Sequence, residues 1–212
     1  MGIERYADLA ARIMAAPPRL GSVRVVAVDG PAGSGKTTFA GRLAGALRGC
    51  GAVVAEFHTD DILDGWTDLH SYWPRLNGWV LEPLSRGEPG RYRAYDWIAK
   101  HFEDDWRPVP VADVLLLEGV ASARSEVAPR LSLSVFVLAG RDVRLARGVA
   151  RDGEALRPEW LRWMADEDKH YAADGTAERA DVLVDGAPTV VHEADTEFVG
   201  LPSAGARETI RE

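Results

Sequence analysis

A glycine-rich segment between an apolar run and a helical pattern constrains this chain more than any other feature. Residues 30–37 read Gly-Pro-Ala-Gly-Ser-Gly-Lys-Thr. Residues 23–29, just before them, form an apolar, β-branched run of strand length, and residues 37–48, just after them, carry apolar side chains at helical spacing. Glycines allow a tight turn that points backbone N–H groups inward, and the start of a helix adds partial positive charge. The segment therefore predicts a loop that cradles phosphate groups, set between a strand and a helix.

Two side chains at the end of this segment complete a triphosphate site. Lys36 is placed to reach the β- and γ-phosphates, and the Thr37 hydroxyl is placed to hold Mg²⁺. We therefore predict binding of a nucleoside triphosphate, with ATP and Mg²⁺ as the cofactors. The residues expected to contact the nucleotide are Gly30, Ala32, Gly33, Ser34, Gly35, Lys36, Thr37 and Thr38.

Strand and helix patterns alternate along the chain, and the strands are apolar on both faces, as buried parallel strands are. This alternation predicts an α/β fold whose five-stranded, mainly parallel sheet has helices on both faces. Together with the phosphate-binding loop, it predicts a P-loop NTPase three-layer sandwich. Strands are predicted at 23–28, 52–57, 112–118, 132–138 and 181–185, and helices at 3–15, 36–48, 141–152 and 158–174, with a helical stretch within 68–86.

The length of 212 residues suits a single α/β domain, which we place at residues 1–200. Residues 58–108 are too long for a simple crossover and contain five of the seven tryptophans, so we predict an inserted acceptor-binding region there. Residues 201–212 carry proline, glycine and scattered charges, and we expect a flexible tail.

Composition limits the classes of partner. The formal net charge of −8 argues against a nucleic-acid-binding surface, which normally has a basic excess. No stretch approaches the roughly 18 apolar residues of a membrane span, and residues 1–20 do not have the continuous apolar core of a signal peptide. We expect a cytoplasmic protein whose partner is a small molecule rather than nucleic acid or a membrane. The oligomeric state stays open, and a homodimer is one option.

Acidic residues follow two of the predicted strands, at the sheet edge where ligands collect in open α/β folds. Asp60 and Asp61 come directly after the second strand, and Glu118 ends the third. Phosphoryl transfer to a hydroxyl needs Mg²⁺ and a carboxylate that orients or deprotonates the acceptor. We therefore predict Asp60 as the catalytic base, Glu118 as the acid of the magnesium site, and Asp61 as a neighbour of the acceptor. The predicted metal-site residues are Thr37, Asp60 and Glu118.

Arginines at 144, 147 and 151 recur at helical spacing and share one face of a predicted helix. A row of guanidinium groups can clamp a transferring phosphoryl group. We predict catalytic roles for Arg147 and Arg151, alongside Lys36 and Asp60. The alternative is a solvated arginine face paired with neighbouring aspartates.

Two segments are expected to surround the acceptor. In the tryptophan-rich insert, Trp66 follows the predicted base and Trp97 lies beside Tyr95, so both are candidates for stacking on a ring. Residues 152–158 form a short polar stretch that suits a small closing lid, and Arg157 belongs to it.

Taken together and in order, these motifs resemble the uridine kinase-like branch of the P-loop kinases, which is related to phosphoribulokinase and bacterial pantothenate kinase. The resemblance extends from about residue 23 to residue 185. Beyond the phosphate loop, it rests on Asp60-Asp61-Ile62-Leu63, on Tyr95-Asp96-Trp97, on residues 112–119, and on Arg144-Leu145-x-Arg147-x-x-x-Arg151-Asp152.

The resemblance implies a kinase with Asp60 as base and Arg151 as a phosphate clamp. It also implies that Tyr95 contacts a nucleobase. The family's base-reading histidine falls on Lys100, with His101 one residue later, and Gly148 stands where the family has an arginine.

The leading hypothesis is therefore an ATP-dependent kinase that phosphorylates a hydroxyl group, most simply of a nucleoside. A nucleoside monophosphate kinase is an alternative, because residues 29–36 also look like cytidylate kinase. A phosphotransferase acting on an antibiotic or another specialised metabolite is a further alternative. A non-enzymatic nucleotide switch is less favoured, because the chain has no Asn-Lys-x-Asp motif.

Overall fold

The structure of the chain is a computed structural model that describes residues 2–202. The strands are β1 (Gly2–Arg5), β2 (Arg24–Asp29), β3 (Val54–His58), β4 (Gly90–Tyr92), β5 (Tyr95–Asp96), β6 (His101–Phe102), β7 (Arg107–Val109), β8 (Val114–Glu118), β9 (Leu131–Leu138), β10 (Val182–Asp185) and β11 (Glu197–Leu201). The central sheet has seven of these strands in the order β1-β11-β10-β9-β2-β8-β3, and two small two-stranded sheets pair β4 with β7 and β5 with β6.

Helices cover both faces of the sheet. The helices are α1 (Tyr6–Ala15), α2 (Lys36–Gly49), α3 (Trp73–Leu76), α4 (Glu82–Ser85), α5 (Arg141–Asp152), α6 (Arg157–Asp174) and α7 (Thr176–Arg179), and a π-helical segment, Asn77–Leu81, joins α3 to α4. Among residues 2–202, no helix combines the length and the apolar character needed to cross a membrane.

The two hydrophobic cores explain why the strands are apolar throughout. In β2, Val25 and Ala27 pack into the core beneath the inserted region, whereas Val26 and Val28 pack into the core beneath α1 and α2. Successive side chains of a strand point to opposite faces, so a strand covered on both faces carries no polar alternation.

All five predicted strands are present, and they are the parallel neighbours β10, β9, β2, β8 and β3. The sheet also has two antiparallel strands, β1 and β11, that the sequence analysis did not predict. The helix predicted at 3–15 begins at Tyr6, because residues 2–5 pair with β11 instead. Leu201 closes β11, and residues 203–212 of the predicted tail lie outside the described residues.

The inserted region, residues 58–108, follows β3. It contains a short 3₁₀ turn at Thr59–Ile62, the helical stretch predicted within 68–86, and the strands β4 to β7. Within this region, Trp66 packs against Trp160 and Trp163 of α6.

Candidate active site

The loop between β2 and α2 is a tight turn that only glycine accommodates at two points. Gly30 has a φ of 144°, and a β carbon added there would lie 2.3 Å from the Val137 carbonyl oxygen. Gly33 has a φ of 77°, and its β carbon would lie 2.6 Å from the carbonyl oxygen of Arg144. The loop therefore passes directly over β9 and the start of α5, and α2 begins immediately after it at Lys36.

Asp29 fixes the start of this loop. Its buried carboxylate accepts hydrogen bonds from the Gly30 amide at 2.6 Å, the Ala121 amide at 2.9 Å, the Ala123 amide at 2.7 Å and the Tyr171 hydroxyl at 2.7 Å. Burial raises the pKa of Asp29, and these hydrogen bonds oppose that rise. Through these hydrogen bonds, Asp29 connects the loop to the segment after β8 and to α6.

Lys36, Thr37 and Glu118 converge at the end of the loop. Glu118 Oε1 lies 3.2 Å from the Thr37 hydroxyl and 3.9 Å from Lys36 Nζ. Burial alone would raise the pKa of Glu118, but a hydrogen bond from His58 and the charge of Lys36 outweigh it and lower the pKa. Glu118 is therefore ionised at neutral pH.

This donor set fits Mg²⁺. A hydroxyl and a carboxylate oxygen are hard ligands, and Mg²⁺ is typically held by one or two protein oxygens together with substrate phosphates. Among the described residues, no cluster of three or more acidic, histidine or cysteine side chains forms a metal site by itself. Thr37 and Glu118 would therefore hold the ion together with a bound triphosphate.

His58 is a site residue that the sequence analysis did not assign. It ends β3, and its Nδ1 lies 2.7 Å from Glu118 Oε2. The hydrogen bond to Glu118 raises the pKa of His58. Its only sequence signal was its place two residues before Asp60, because the pairing with Glu118 depends on β3 and β8 being neighbours.

The two aspartates after β3 have different environments. Asp60 is exposed at the wall of a cleft. Desolvation by the surrounding protein raises the pKa of Asp60, and the positive charge of Lys36 opposes that rise. The Asp61 carboxylate instead accepts a hydrogen bond from the Tyr92 hydroxyl at 3.0 Å. Asp60 is therefore the carboxylate of this pair that is available to an acceptor.

The cleft beside Asp60 has a volume of about 910 Å³ and lies between the inserted region and α6. Trp66 stands at the centre of its aromatic wall, with ring centroids 5.7 Å from Trp97, 5.9 Å from Trp160 and 5.9 Å from Trp163. The Trp97 indole N–H donates to the backbone oxygen of Asp60 at 3.3 Å. The aromatic wall therefore contacts the segment that carries the predicted base.

The predicted pocket residues Trp66, Tyr95, Trp97 and Lys100 all line this cleft. Trp160 and Trp163 of α6, which the sequence analysis did not assign to the site, are buried and also line the cleft. The other three predicted acceptor residues do not belong to the lining. Asp61 accepts the Tyr92 hydroxyl, His101 hydrogen-bonds through Nδ1 with the Phe102 carbonyl, and Arg157 is exposed and pairs with Glu154.

The three predicted helix-face arginines lie in three different environments. Arg144 is buried and pairs with Glu167 at 3.1 Å. Arg147 donates to the carbonyl oxygens of Gly33 at 3.1 Å and Gly186 at 3.0 Å. Only Arg151 lines the acceptor cleft.

Arg151 is held by its neighbours. Its guanidinium donates to the Asp152 carboxylate at 2.7 and 3.0 Å and lies 5.6 Å from the centroid of the Trp160 ring. The Trp160 indole N–H donates to the same carboxylate at 2.9 Å. The hydrogen bond to Asp152 is the main cause of a raised pKa for Arg151.

A second, smaller cavity of about 370 Å³ lies on the other side of the loop. Gly35 and Thr38 line it from the start of α2, and Arg147 and Gly186 line it from α5 and the segment after β10. The segment 30–38 thus borders two cavities, because Gly35 and Thr38 line the smaller one and Ala32 lines the larger one.

No protein-family model and no curated protein matches the sequence. Among solved structures, a protein from Bacillus stearothermophilus described as a possible uridine kinase matches with a TM-score of 0.63 and 24% identity, covering 84% of this chain and 96% of that chain. A protein from Silicibacter sp. TM1040 described as a putative fructose transport system kinase matches with a TM-score of 0.52 and 20% identity, covering 81% of this chain and 90% of that one. The chain therefore has the α/β fold of these two proteins, with a mostly parallel central sheet flanked by helices.

Proposed function

We propose that this protein is a kinase that transfers the γ-phosphoryl group of ATP to a hydroxyl group of a small molecule. One observation carries the proposal: Ala32 of the phosphate loop, Asp60 and Arg151 line the same cleft. A phosphoryl donor, a carboxylate base and a cation would therefore meet where an acceptor can enter. Such positioning, with electrostatic stabilisation, accounts for most of the catalysis in phosphoryl transfer.

The nucleoside end of ATP is assigned to the smaller cavity, beside Thr38 and Arg147. The triphosphate then extends along the loop amides toward Lys36 and the larger cleft. This assignment gives Arg147 a nucleotide-binding role, while Arg151 keeps the role of a clamp on the transferring group.

Different side chains of the site carry out metal binding, proton transfer and charge stabilisation. Thr37 and Glu118 would hold Mg²⁺, whose positive charge would offset the negative charge of the bound triphosphate. Asp60 accepts the proton of the attacking hydroxyl, and its raised pKa brings it closer to the working pH of a general base. Lys36 and Arg151 stabilise the negative charge on the phosphoryl oxygens, and the Glu118–His58 hydrogen bond fixes the metal-site carboxylate.

The acceptor that suits the cleft best is a nucleoside or a similar compound with a planar ring. The aromatic wall offers faces and edges for stacking. Arg162 of the cleft is paired with Glu159, and Arg151 is assigned to the transferring phosphoryl group, which argues against an acceptor that already carries a phosphate. The neighbour described as a possible uridine kinase is consistent with a nucleoside.

Acceptor-dependent release of ADP tests this function. Nucleosides, nucleoside monophosphates, sugars, vitamins and aminoglycosides would be offered with ATP and Mg²⁺, and the Lys36→Ala variant would be the control. We expect ADP release that requires one class of hydroxyl compound and is lost in the variant. Slow hydrolysis that no acceptor accelerates would reject the proposal.

A further inference from the structure

Glu167 is a buried carboxylate that the proposed chemistry does not use. It lies on α6 with no exposed surface, and burial raises its pKa. Its Oε2 accepts a hydrogen bond from Arg144 at 3.1 Å, which supplies a partner charge. A buried carboxylate without a partner charge and hydrogen-bond donors would strongly destabilise the fold. The contacts of its second oxygen therefore show which parts of the protein Glu167 connects.

The other oxygen of Glu167 connects the phosphate loop to the aromatic wall of the cleft. Oε1 accepts the Ala32 amide of the phosphate loop at 2.6 Å and the Trp163 indole N–H at 2.6 Å. Ala32 and Trp163 also both line the acceptor cleft. One atom therefore holds a main-chain group of the nucleotide loop and a side chain of the acceptor wall.

From Trp163 the contacts continue across the cleft. The Trp163 ring meets Trp66, Trp66 meets Trp97, and the Trp97 indole donates to the backbone of Asp60. Interior hydrogen bonds to a charged acceptor are strong and directional, so a displacement of one donor on Oε1 changes the bond to the other.

We propose that Glu167 is a positioning residue that couples the phosphate loop to the acceptor wall. A polyphosphate bound at the loop brings negative charge beside this carboxylate and fixes the position of the Ala32 amide. Because the two donors share Oε1, the hydrogen bond from the Trp163 indole then changes as well. The inference rests on the proposed function, because it requires the loop to bind a nucleotide. Coupling of this kind is reciprocal, so an acceptor packed against the wall would also change nucleotide affinity.

Trp160 offers a matched control for Trp163. Both indoles lie on α6, both rings stand 5.9 Å from Trp66, and both line the cleft. The Trp160 N–H, however, donates to Asp152 and not to Glu167.

Amide and indole N–H signals in ¹H–¹⁵N NMR spectra test the coupling. In the unliganded protein, Trp163→Phe should shift the Ala32 amide signal, because Oε1 loses its second donor, whereas Trp160→Phe should leave it in place. In the unsubstituted protein, saturation with Mg²⁺ and the ATP analogue AMP-PNP should shift the Trp163 indole signal and not that of Trp106, which packs on Trp79 away from the cleft.

Calorimetry under the same conditions separates the possible failures. If AMP-PNP binds and the Trp163 indole signal stays in place, or if Trp163→Phe leaves the Ala32 signal unchanged, the coupling through Glu167 is wrong. If AMP-PNP does not bind at all, the proposed function fails, and the inference fails with it.

Discussion

The Trp160 ring lies so close to Gly148 that a β carbon at position 148 would stand 2.4 Å from two of its ring carbons. Gly148 therefore gives α6 the room to pack its tryptophan on α5. The kinase family that this chain resembles has an arginine at that position. In this protein an aromatic ring occupies the space, and it contacts Arg151 and Asp152 at the edge of the cleft.

Gly148→Ala should destabilise the protein by about 1 to 3 kcal/mol, because the added methyl group forces the Trp160 ring and α6 to shift. The matched control is Gly45→Ala in α2, where a β carbon would meet nothing within 4 Å. That variant should be stabilised by up to about 1 kcal/mol through helix propensity. Chemical denaturation measures both, and equal stability of the two variants would contradict the packing described.

The sequence was enough to predict the parallel strands and the glycine-rich turn between β2 and α2, because local patterns encode both. A strand buried on two faces is apolar throughout, and the loop requires glycine at fixed positions. Strand β1 was missed because its four residues are all exposed at the sheet edge, so Ile3 read as part of an amphipathic helix.

Long-range pairings in the site could not be predicted in this way. His58 hydrogen-bonds with Glu118, 60 residues away in the sequence, and Glu167 accepts the Ala32 amide, 135 residues away. No periodicity in the sequence relates such residues. The arginine face was predicted from spacing alone, and neighbouring elements then gave Arg144 a buried partner and Arg147 backbone partners.

Asp60→Asn should lower turnover by about 10²- to 10⁴-fold while nucleotide affinity stays close to normal, because the amide cannot accept the hydroxyl proton. Asp61→Asn is the control, since that carboxylate is bonded to Tyr92. Steady-state kinetics with an acceptor from the panel, together with calorimetry, measures both effects. Near-normal turnover of Asp60→Asn would show that another group is the base.

Arg151→Met should lower turnover by about 10²-fold, because the cleft loses the cation that faces the transferring phosphoryl group. Arg157→Met should have little effect, since Arg157 pairs with Glu154 outside the cleft lining. The same kinetic assay compares the two. A greater loss for Arg157→Met would assign the clamp to the 152–158 segment instead.

His170 should make the protein less stable in mild acid. Burial, and next the charge of Arg124, lower its pKa below the ordinary value of 6.5. The unfolded chain therefore binds a proton that the folded chain does not, so the free energy of unfolding falls as the pH drops below about 6.5. The groups facing His170 are Arg124, His70, Asp174 and Glu126.

Denaturation between pH 7.5 and pH 5 would measure this slope for the unsubstituted protein and for His170→Gln. The glutamine variant should lose less stability over that range than the unsubstituted protein does. Parallel profiles for His170→Gln and the unsubstituted protein would show that His170 is not held neutral by its surroundings.

The most direct test of the whole account is a calorimetric titration of the folded protein with AMP-PNP, with and without Mg²⁺, for the unsubstituted chain and for Lys36→Ala. The loop geometry predicts one bound nucleotide per chain, with affinity that falls sharply when either Mg²⁺ or the lysine is removed. Absence of binding to the folded, unsubstituted protein in the presence of Mg²⁺ would contradict the central claim that residues 30–38 form a nucleotide site.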